Sequence, residues 1–327
     1  MTRPRVGFLG VGWIGRDRMR AMVENGAIEA VGVADPDPKM SEAAAELAPT
    51  VAAVDGLDDL LDLGLDGVVI ATPSALHAEQ SIAALERGVA VFCQKPLGRH
   101  AGETRAVVES AERANRLLGV DFSYRHCAAL TAVRELVRSG ELGTIHVVDL
   151  VFHNAYGPGK PWFYDRALSG GGCLMDLGVH LIDLALWTLD DPEITYVSRR
   201  LLTGGSPTAG DQVEDYATAL LEFDGRVAVR LACSWNLHAG RGADISAAFY
   251  GSEGGAAFRN VDGSFYDFTA HRFRGDASEL LASPADAWGG RAAVAWAQRL
   301  AQDPAFDHSA RGLIRVSEAL DRIYRRA

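Results

Sequence analysis

The chain has 327 residues, of which 48% are hydrophobic and 23% charged, a composition typical of globular proteins and a length that suits two domains. The formal net charge is −11, and no long basic run suits a nucleic-acid partner. No apolar stretch reaches the roughly 20 residues of a membrane span, and no secretory signal precedes the first strand, so we expect a cytoplasmic protein without a membrane partner. The four cysteines form no CxxC pair, and no set of residues with metal-ligand spacing is found.

The N-terminal part of the chain alternates between predicted strands and predicted helices. Short apolar runs indicate buried strands of a parallel sheet, and the stretches between them indicate helices. The predicted strands are Arg5–Leu9, Ile28–Ala34, Gly67–Ala71 and Val89–Cys93. The first predicted helix follows Arg5–Leu9 and ends near Asn25, and the next three cover Met40–Ala48, Ala78–Arg87 and Ala101–Leu118. This order predicts a doubly wound parallel sheet, an α/β domain over residues 1–122.

Beyond residue 122 the pattern is typical of antiparallel strands. Turn residues recur at short intervals between Ile194 and Phe273, as in a sheet built from hairpins. A strand is predicted over Thr144–Phe152, and helices over Thr131–Ser139, Leu174–Leu189 and Ser309–Arg325. Residues 123–327 are therefore predicted to form a second, α+β domain, whose last helix can pack back on the first. The expected ligand site is a cleft between the domains.

A glycine-rich turn follows the first predicted strand. In Gly10-x-Gly12-x-x-Gly15 the first glycine permits the turn, the second lets the backbone approach a pyrophosphate, and the third lets the helix pack on the strand. Asp35 ends the next strand, where a carboxylate binds the adenine ribose hydroxyls and repels a 2′-phosphate. The motif predicts NAD binding in preference to NADP; the alternative is an ordinary glycine turn with a surface aspartate.

A lysine follows the last of these strands, at the sheet edge where open α/β folds bind ligands. Lys95 precedes Pro96, which fixes the chain direction and can hold a cis bond. The ammonium group can bind the cofactor ribose or donate to a substrate oxygen that develops alkoxide charge. The alternative is a solvated loop lysine.

Three polar residues share one face of a predicted apolar helix. Asp176, His180 and Asp183 are spaced i, i+4 and i+7, and nearly all their neighbours on the helix are apolar. A buried polar stripe needs either a polar cavity or internal partners. His180 is the expected general base, because imidazole titrates near neutral pH, and either aspartate can orient it or hold a substrate hydroxyl. The alternative is a structural Asp–His–Asp network.

These motifs, in this order, resemble the Gfo/Idh/MocA family, the group of glucose-fructose oxidoreductase and inositol dehydrogenase. The resemblance covers nearly the whole chain. It is carried by Gly10–Gly15, Asp35, Ala71-Thr72-Pro73 with His77, Lys95-Pro96, Tyr124-Arg125, Gly170–Gly172 with Asp176 and His180, Ser234-Trp235, and Ala319–Tyr324. One departure is Gln94, where the family usually has a glutamate, so a charge beside Lys95 is missing.

The resemblance implies an N-terminal Rossmann domain and a C-terminal α+β domain with a large, mainly antiparallel sheet that forms a homodimer or homotetramer. The implied catalytic residues are Lys95, Asp176 and His180. The expected NAD contacts are Gly10, Gly12, Trp13, Ile14, Gly15, Asp35, Thr72, Pro73, Ser74, His77, Gln94 and Lys95. The expected substrate contacts include Tyr124 and Arg125.

The segment before the predicted catalytic helix is rich in aromatic and hydrogen-bonding side chains. It covers Phe152–Arg166, and we expect it to shape the substrate pocket through Asn154, Lys160 and Trp162. The alternative is a surface loop with packed aromatic rings.

The resulting hypothesis is an NAD-dependent dehydrogenase that acts on a secondary alcohol of a sugar, inositol or related polyol. Two other classes share the scaffold: NAD-dependent glycoside hydrolases and cofactor-binding regulators without turnover. The set Lys95, Asp176 and His180 disfavours a regulator, because a sensor needs no acid or base. A nucleotide-sugar ketoreductase is a further alternative, disfavoured because such members often lack the histidine.

Overall fold

The computed structural model describes residues 3–325, which divide into two compact units. The first contains the residues up to Asp121 together with Gly290–Ile314, and the second contains Phe122–Gly289 and the residues from Arg315 onward. Residues 290–314, expected in the second domain, belong to the first unit because a helix that they form packs into its core.

The first unit is built on a six-stranded parallel sheet. Its strands are β1 (Arg5–Leu9), β2 (Glu29–Ala34), β3 (Ala52–Ala53), β4 (Gly67–Ile70), β5 (Ala90–Cys93) and β6 (Leu118–Val120). The intervening helices are α1 (Trp13–Asn25), α2 (Pro38–Ala45), α3 (Leu57–Leu61), α4 (Ser74–Glu86) and α5 (Ala101–Ala114). The spatial order β3-β2-β1-β4-β5-β6 confirms the doubly wound fold and places the switch point between β1 and β4.

Several helix boundaries differ from the predicted ones by a few residues, and two of the differences have local reasons. Helix α5 ends at Ala114, because Asn115 adopts a left-handed conformation with φ 48° and the chain then enters β6 at Leu118. Helix α4 begins at Ser74, because the fixed φ of Pro73 suits the entry to a helix.

The second unit is built on a nine-stranded sheet. Its strands are β7 (Ile145–Asn154), β8 (Ile194–Thr203), β9 (Ser206–Pro207), β10 (Tyr216–Phe223), β11 (Val227–Ser234), β12 (Ala243–Gly251), β13 (Gly255–Asn260), β14 (Phe268–Arg274) and β15 (Ala277–Ala282). The helices within this part are α6 (Ala128–Arg138), α7 (Arg166–Ser169) and α8 (Val179–Thr188). In the order β15-β14-β13-β12-β7-β11-β10-β8-β9, β7 and β11 are parallel and all other neighbours antiparallel. The predicted large, mainly antiparallel sheet is confirmed.

The two faces of this sheet differ in burial. Helix α8 packs against β7 and β12, and α6 against β13 and β14, so one face is covered. The other face carries large side chains that are 37–55% exposed, namely Tyr196, Leu220, Tyr250 and Leu280. The sheet therefore has one buried and one open face.

A late helix, α9 (Arg291–Gln302), packs into the core of the first unit. The ring of Trp296 lies 5.7 Å from that of Phe92. It also lies against two strand glycines: a Cβ would come within 2.5 Å of the indole at Gly67 and within 2.7 Å at Gly119. The last helix, α10 (Gly312–Tyr324), follows.

Within residues 3–325, none of the helices combines the length and the hydropathy that a membrane crossing requires.

Candidate active site

The turn after β1 has no space for a side chain at Gly10 or at Gly15. Gly10 has φ 81°, and a Cβ there would lie 2.7 Å from the carbonyl group of Ala71. A Cβ on Gly15 would lie 2.0 Å from the carbonyl oxygen of Gly10. Gly12 precedes the first residue of α1, the exposed Trp13, and provides no side-chain cap. The first N–H groups of the helix are therefore left for an anion. The turn therefore fits the pyrophosphate of a dinucleotide.

Asp35, at the end of β2, is held by backbone amides. Its carboxylate accepts hydrogen bonds from the N–H groups of Val11 at 2.8 Å and Asp37 at 3.0 Å. Since Val11 belongs to the glycine turn, the partly exposed carboxylate is fixed beside that turn. A fixed carboxylate in this place can accept hydrogen bonds from ribose hydroxyls.

His77 of α4 connects the loops that follow β4 and β5. Its Nε2 lies 2.7 Å from the carbonyl oxygen of Thr72, and its Nδ1 lies 2.7 Å from that of Pro96. The residue is 1% exposed, and burial lowers the pKa of the imidazole below its ordinary value. The side chain therefore holds the two loops together, and its contact with the dinucleotide stays a prediction. Of the neighbouring residues expected at the cofactor, Thr72 and Pro73 are partly exposed and Ser74 is buried.

The buried His77 predicts acid sensitivity of the fold. Because its pKa is lower in the folded chain than the ordinary value of 6.5, the unfolded chain binds more protons below about pH 6.5. The stability contribution is complete above that pH and decreases as the pH falls toward the folded pKa. We expect the free energy of unfolding to fall by up to about 1.4 kcal/mol per pH unit more in the wild type than in His77→Asn between pH 6.5 and 5.

Urea unfolding at several pH values measures this difference. The matched variant is His153→Asn, because burial also lowers the pKa of His153 and its own contribution must be separated. Parallel pH profiles for the wild type and His77→Asn would contradict the expectation.

Lys95 lies at the start of the loop that His77 holds, and the Lys95–Pro96 peptide bond is cis. The preceding Gln94 is buried, and its amide donates to the Asp121 carboxylate at 2.5 Å. Asp121 also accepts from Nε of Arg18, on α1, at 2.6 Å. A glutamate at position 94 would bring a second carboxylate against this buried acid, which explains why glutamine suits this chain. Gln94, expected at the cofactor, is thus turned to an internal partner.

Asp176 and His180 lie where the predicted helix changes its geometry. Leu174–Gly178 forms a π-helical turn and α8 begins after it, whereas the sequence predicts one helix over Leu174–Leu189. The N–H group of Val179 closes the wide turn by donating to the Leu174 carbonyl. Such turns are frequent at functional sites. Within Ser169–Leu186, a segment that is described throughout, only Asp176 and His180 are not buried.

Aromatic side chains surround both of these polar groups. Nε1 of Trp235 donates to the Asp176 carboxylate at 3.2 Å. The imidazole of His180 lies edge-on to the ring of Tyr124, with centroids 5.1 Å apart, and 6.3 Å from that of Phe152. The indole fixes the carboxylate and the rings restrict the imidazole, so the two groups are presented in defined orientations.

The third member of the predicted stripe, Asp183, has an internal partner instead. Its carboxylate is 1% exposed and accepts hydrogen bonds from Nε and Nη2 of Arg125, at 3.0 and 2.5 Å. Burial raises the pKa of Asp183, and the arginine opposes this shift. Tyr124 is also buried and stacks on Trp288 with centroids 4.9 Å apart. Arg125 therefore pairs with Asp183 and Tyr124 packs against His180, while their predicted contact with the substrate stays a prediction.

The segment between β7 and α8 supplies an unsatisfied polar atom and several aromatic faces. Oδ1 of Asn154 is buried and has no hydrogen-bond partner among residues 3–325. Such an oxygen calls for a ligand or water. Trp162 stacks on Phe163 with centroids 3.8 Å apart, the Tyr164 ring lies 5.5 Å from that of Trp235, and the preceding Lys160 is exposed. These groups suit a polyhydroxylated ligand.

Within the described part of the chain, no three His, Cys, Asp or Glu side chains are grouped as a metal site.

Comparison with known protein families matches both units. Residues 4–122 match the oxidoreductase family with an NAD-binding Rossmann fold, and residues 130–257 match the GFO/IDH/MocA C-terminal domain.

Individual relatives cover most of the chain. A putative UDP-kanosamine synthase oxidoreductase subunit of Amycolatopsis mediterranei is 33% identical, over 77% of this chain and 74% of its own length. An inositol 2-dehydrogenase of Rhizobium meliloti is 29% identical, over 78% of this chain and 76% of its own. The structure of levoglucosan dehydrogenase with NADH and levoglucosan has the same fold, with a TM-score of 0.83 at 21% identity over 98% of this chain and 96% of the other.

Proposed function

Because this chain belongs to the Gfo/Idh/MocA oxidoreductase family, we propose that it oxidises a secondary alcohol of a sugar, inositol or related polyol with NAD. The observation that carries the proposal is the partial exposure of Asp176 and His180 within Ser169–Leu186, where all other residues are buried. A partly exposed carboxylate and a partly exposed imidazole one helical turn apart are placed to meet a ligand.

The proposed chemistry divides among three side chains. His180 takes the proton of the reacting hydroxyl, while Lys95 and Asp176 hold that oxygen and its neighbour. NAD, when bound at the glycine turn and Asp35, would supply the acceptor for the hydride that leaves the carbinol carbon as that carbon becomes a carbonyl carbon. The Trp235 hydrogen bond keeps Asp176 oriented as the proton moves.

Side chains of the segment Phe152–Arg166 support a sugar or cyclic polyol as the substrate. Trp162 and Tyr164 offer aromatic faces on which the C–H side of a ring can pack, and Asn154 offers a hydrogen-bond acceptor. The names of the relatives, an inositol 2-dehydrogenase and a levoglucosan dehydrogenase, favour the same class.

The open face of the nine-stranded sheet supports a homodimer or homotetramer. Its exposed Tyr196, Leu220, Tyr250 and Leu280 give it the aromatic and apolar content of a protein interface. We propose that copies of the chain associate through this face.

Asp35 is expected to set the choice between NAD and NADP. Asp35→Asn keeps an oxygen for the Val11 amide and removes the charge that binds ribose and repels phosphate. We expect kcat/KM with NAD to fall about 10- to 100-fold, the effect of a hydrogen bond to a charged group, and kcat/KM with NADP to rise.

Steady-state kinetics with both cofactors measure this preference. The matched control is Asp37→Asn, which changes the same charge two residues away and keeps a good helix cap. An unchanged NAD/NADP ratio in Asp35→Asn would remove Asp35 from the cofactor site.

The test of the proposed function is NADH formation from NAD across a panel of inositols, aldoses and sugar acids, followed by its near-ultraviolet absorbance. Turnover of a panel member that is lost in Lys95 and His180 variants supports the proposal. Release of a leaving group from a glycoside without accumulation of NADH would point to the hydrolase class instead. NAD binding without turnover of any compound would favour a regulator.

A further inference from the structure

A buried glutamate meets the start of the π-helical turn. Glu214, just before β10, is 2% exposed. Its Oε1 accepts hydrogen bonds from the N–H groups of Gly172 and Leu174, both at 3.0 Å, and from the hydroxyl of Tyr324 at 2.7 Å. One carboxylate oxygen thus satisfies two backbone donors that precede Asp176 and joins them to helix α10.

The glycines before the turn allow this close approach. A Cβ on Gly172 would lie 1.9 Å from the carbonyl oxygen of Glu214, and a Cβ on Gly171 would lie 2.1 Å from the hydroxyl oxygen of Tyr324. The N–H group of Cys173 also donates to the Glu214 carbonyl at 2.9 Å. Both the backbone and the side chain of residue 214 therefore form hydrogen bonds to residues 172–174.

These hydrogen bonds also affect the position of Asp176, which is proposed to hold the substrate. The N–H group of Asp176 donates to the Gly172 carbonyl at 3.0 Å, so a displacement of Gly172 displaces Asp176. Asp176 and His180 lie on consecutive turns, and a displacement at the start of the segment is transmitted to both.

Placing a carboxyl group in this interior is costly, and burial raises the pKa of Glu214 while its three donors oppose the shift. An apolar side chain would fill the volume at lower cost but would leave buried N–H groups without an acceptor. The glutamate therefore has a role that packing alone does not require.

We propose that Glu214 is a positioning residue, which holds Asp176 and His180 in their reactive orientation by accepting hydrogen bonds from the start of the π-helical turn. The proposal rests on the function proposed above. Glu214 touches no reacting atom and acts through the backbone of residues 172–174.

The first experiment compares Glu214→Leu with Glu214→Gln. The leucine variant removes the acceptor, and we expect kcat to fall about 10- to 100-fold with the KM for NAD unchanged, because a small misplacement of reacting groups has effects of that size. The glutamine variant keeps an oxygen acceptor and is expected to stay within about threefold of the wild type. Glu279→Leu, at an exposed glutamate of the same unit, is the control and should leave kcat unchanged.

The second experiment does not depend on activity. The Trp235 indole N–H reports the position of Asp176, and its resonance in a tryptophan-labelled sample can be assigned by comparison with Trp235→Phe. We expect this resonance to move in Glu214→Leu and to stay in place in Glu214→Gln. If the leucine variant fails to fold, Tyr324→Phe removes one donor and is expected to move the resonance by a smaller amount.

The two experiments separate the proposals. A folded Glu214→Leu with wild-type kcat and an unmoved indole resonance would overturn the positioning role. A folded Glu214→Gln with the same loss of kcat and the same shift of the indole resonance as Glu214→Leu would show that the hydrogen bonds of Glu214 are not the cause. If Glu214→Leu does not fold, an unmoved indole resonance in Tyr324→Phe would overturn the proposal. A wild-type protein that turns over no compound of the panel, together with an indole resonance that moves as expected, would contradict the dehydrogenase function and leave the role of Glu214 in the segment supported.

Discussion

Replacement of His180 by alanine is expected to lower kcat by about 10²- to 10⁴-fold, the usual contribution of a positioned general base. The side chain lies among aromatic rings and is half-buried within an otherwise buried segment, so its removal takes away the proton acceptor without breaking the backbone of α8. The KM for NAD should not change, because no role in cofactor binding is assigned to this residue. Steady-state kinetics with a substrate found in the panel measures both constants.

The matched control for this variant is His146→Ala, at an exposed histidine of β7, which should leave both constants unchanged. Added imidazole is expected to restore part of the activity of His180→Ala, because it can occupy the vacated space and accept the proton. A kcat of His180→Ala within about threefold of the wild-type kcat would exclude His180 as the base, because loss of a general base has a much larger effect.

Replacement of Lys95 by methionine is expected to lower kcat by about 10²- to 10³-fold, the effect of losing one preorganised donor to a developing oxyanion. Methionine keeps the length of the side chain, so the His77 contact to Pro96 and the Gln94 contact to Asp121 should still hold the loop. We expect the melting temperature to stay close to that of the wild type.

The exposed Lys39 of α2 provides the control, as Lys39→Met makes the same chemical change away from the site. Lys95→Arg tests the role of the charge, and because a planar guanidinium does not replace a compact ammonium, we expect only partial activity. Full activity in Lys95→Met would leave Lys95 as a solvated loop residue.

Periodicity and glycine spacing predict most of the fold because they depend on neighbours in the chain. The alternation of buried strands and helices sets the parallel sheet, and short turns set the antiparallel one. The membership of α9 in the first unit is not predictable in this way. Its indole fits against Gly67 and Gly119, and a contact between residues so distant in sequence leaves no periodic pattern.

In the candidate site, too, the features set by local spacing are predictable from the sequence, and those set by contacts between distant residues are not. The glycine turn and the pair Asp176 and His180 are predictable, since spacing alone puts their functional atoms together. The hydrogen bond of Arg18 to Asp121 joins residues 103 apart, and that of Gly172 to Glu214 joins residues 42 apart. The π-helical turn is also missed, because its shifted hydrogen bond changes the helix geometry without changing the apolar pattern.

The place of α9 has a consequence for synthesis of the protein. A ribosome completes β1 to β6 long before it reaches Trp296, so the emerging Rossmann sheet presents the surface around Phe92 uncovered. Domains usually fold as units while the chain is being made, but this one must wait for residues that follow the whole nine-stranded sheet in the chain. A nascent chain halted after residue 122 therefore carries an apolar surface suited to chaperone binding, and separate expression of that fragment leaves the same surface bare.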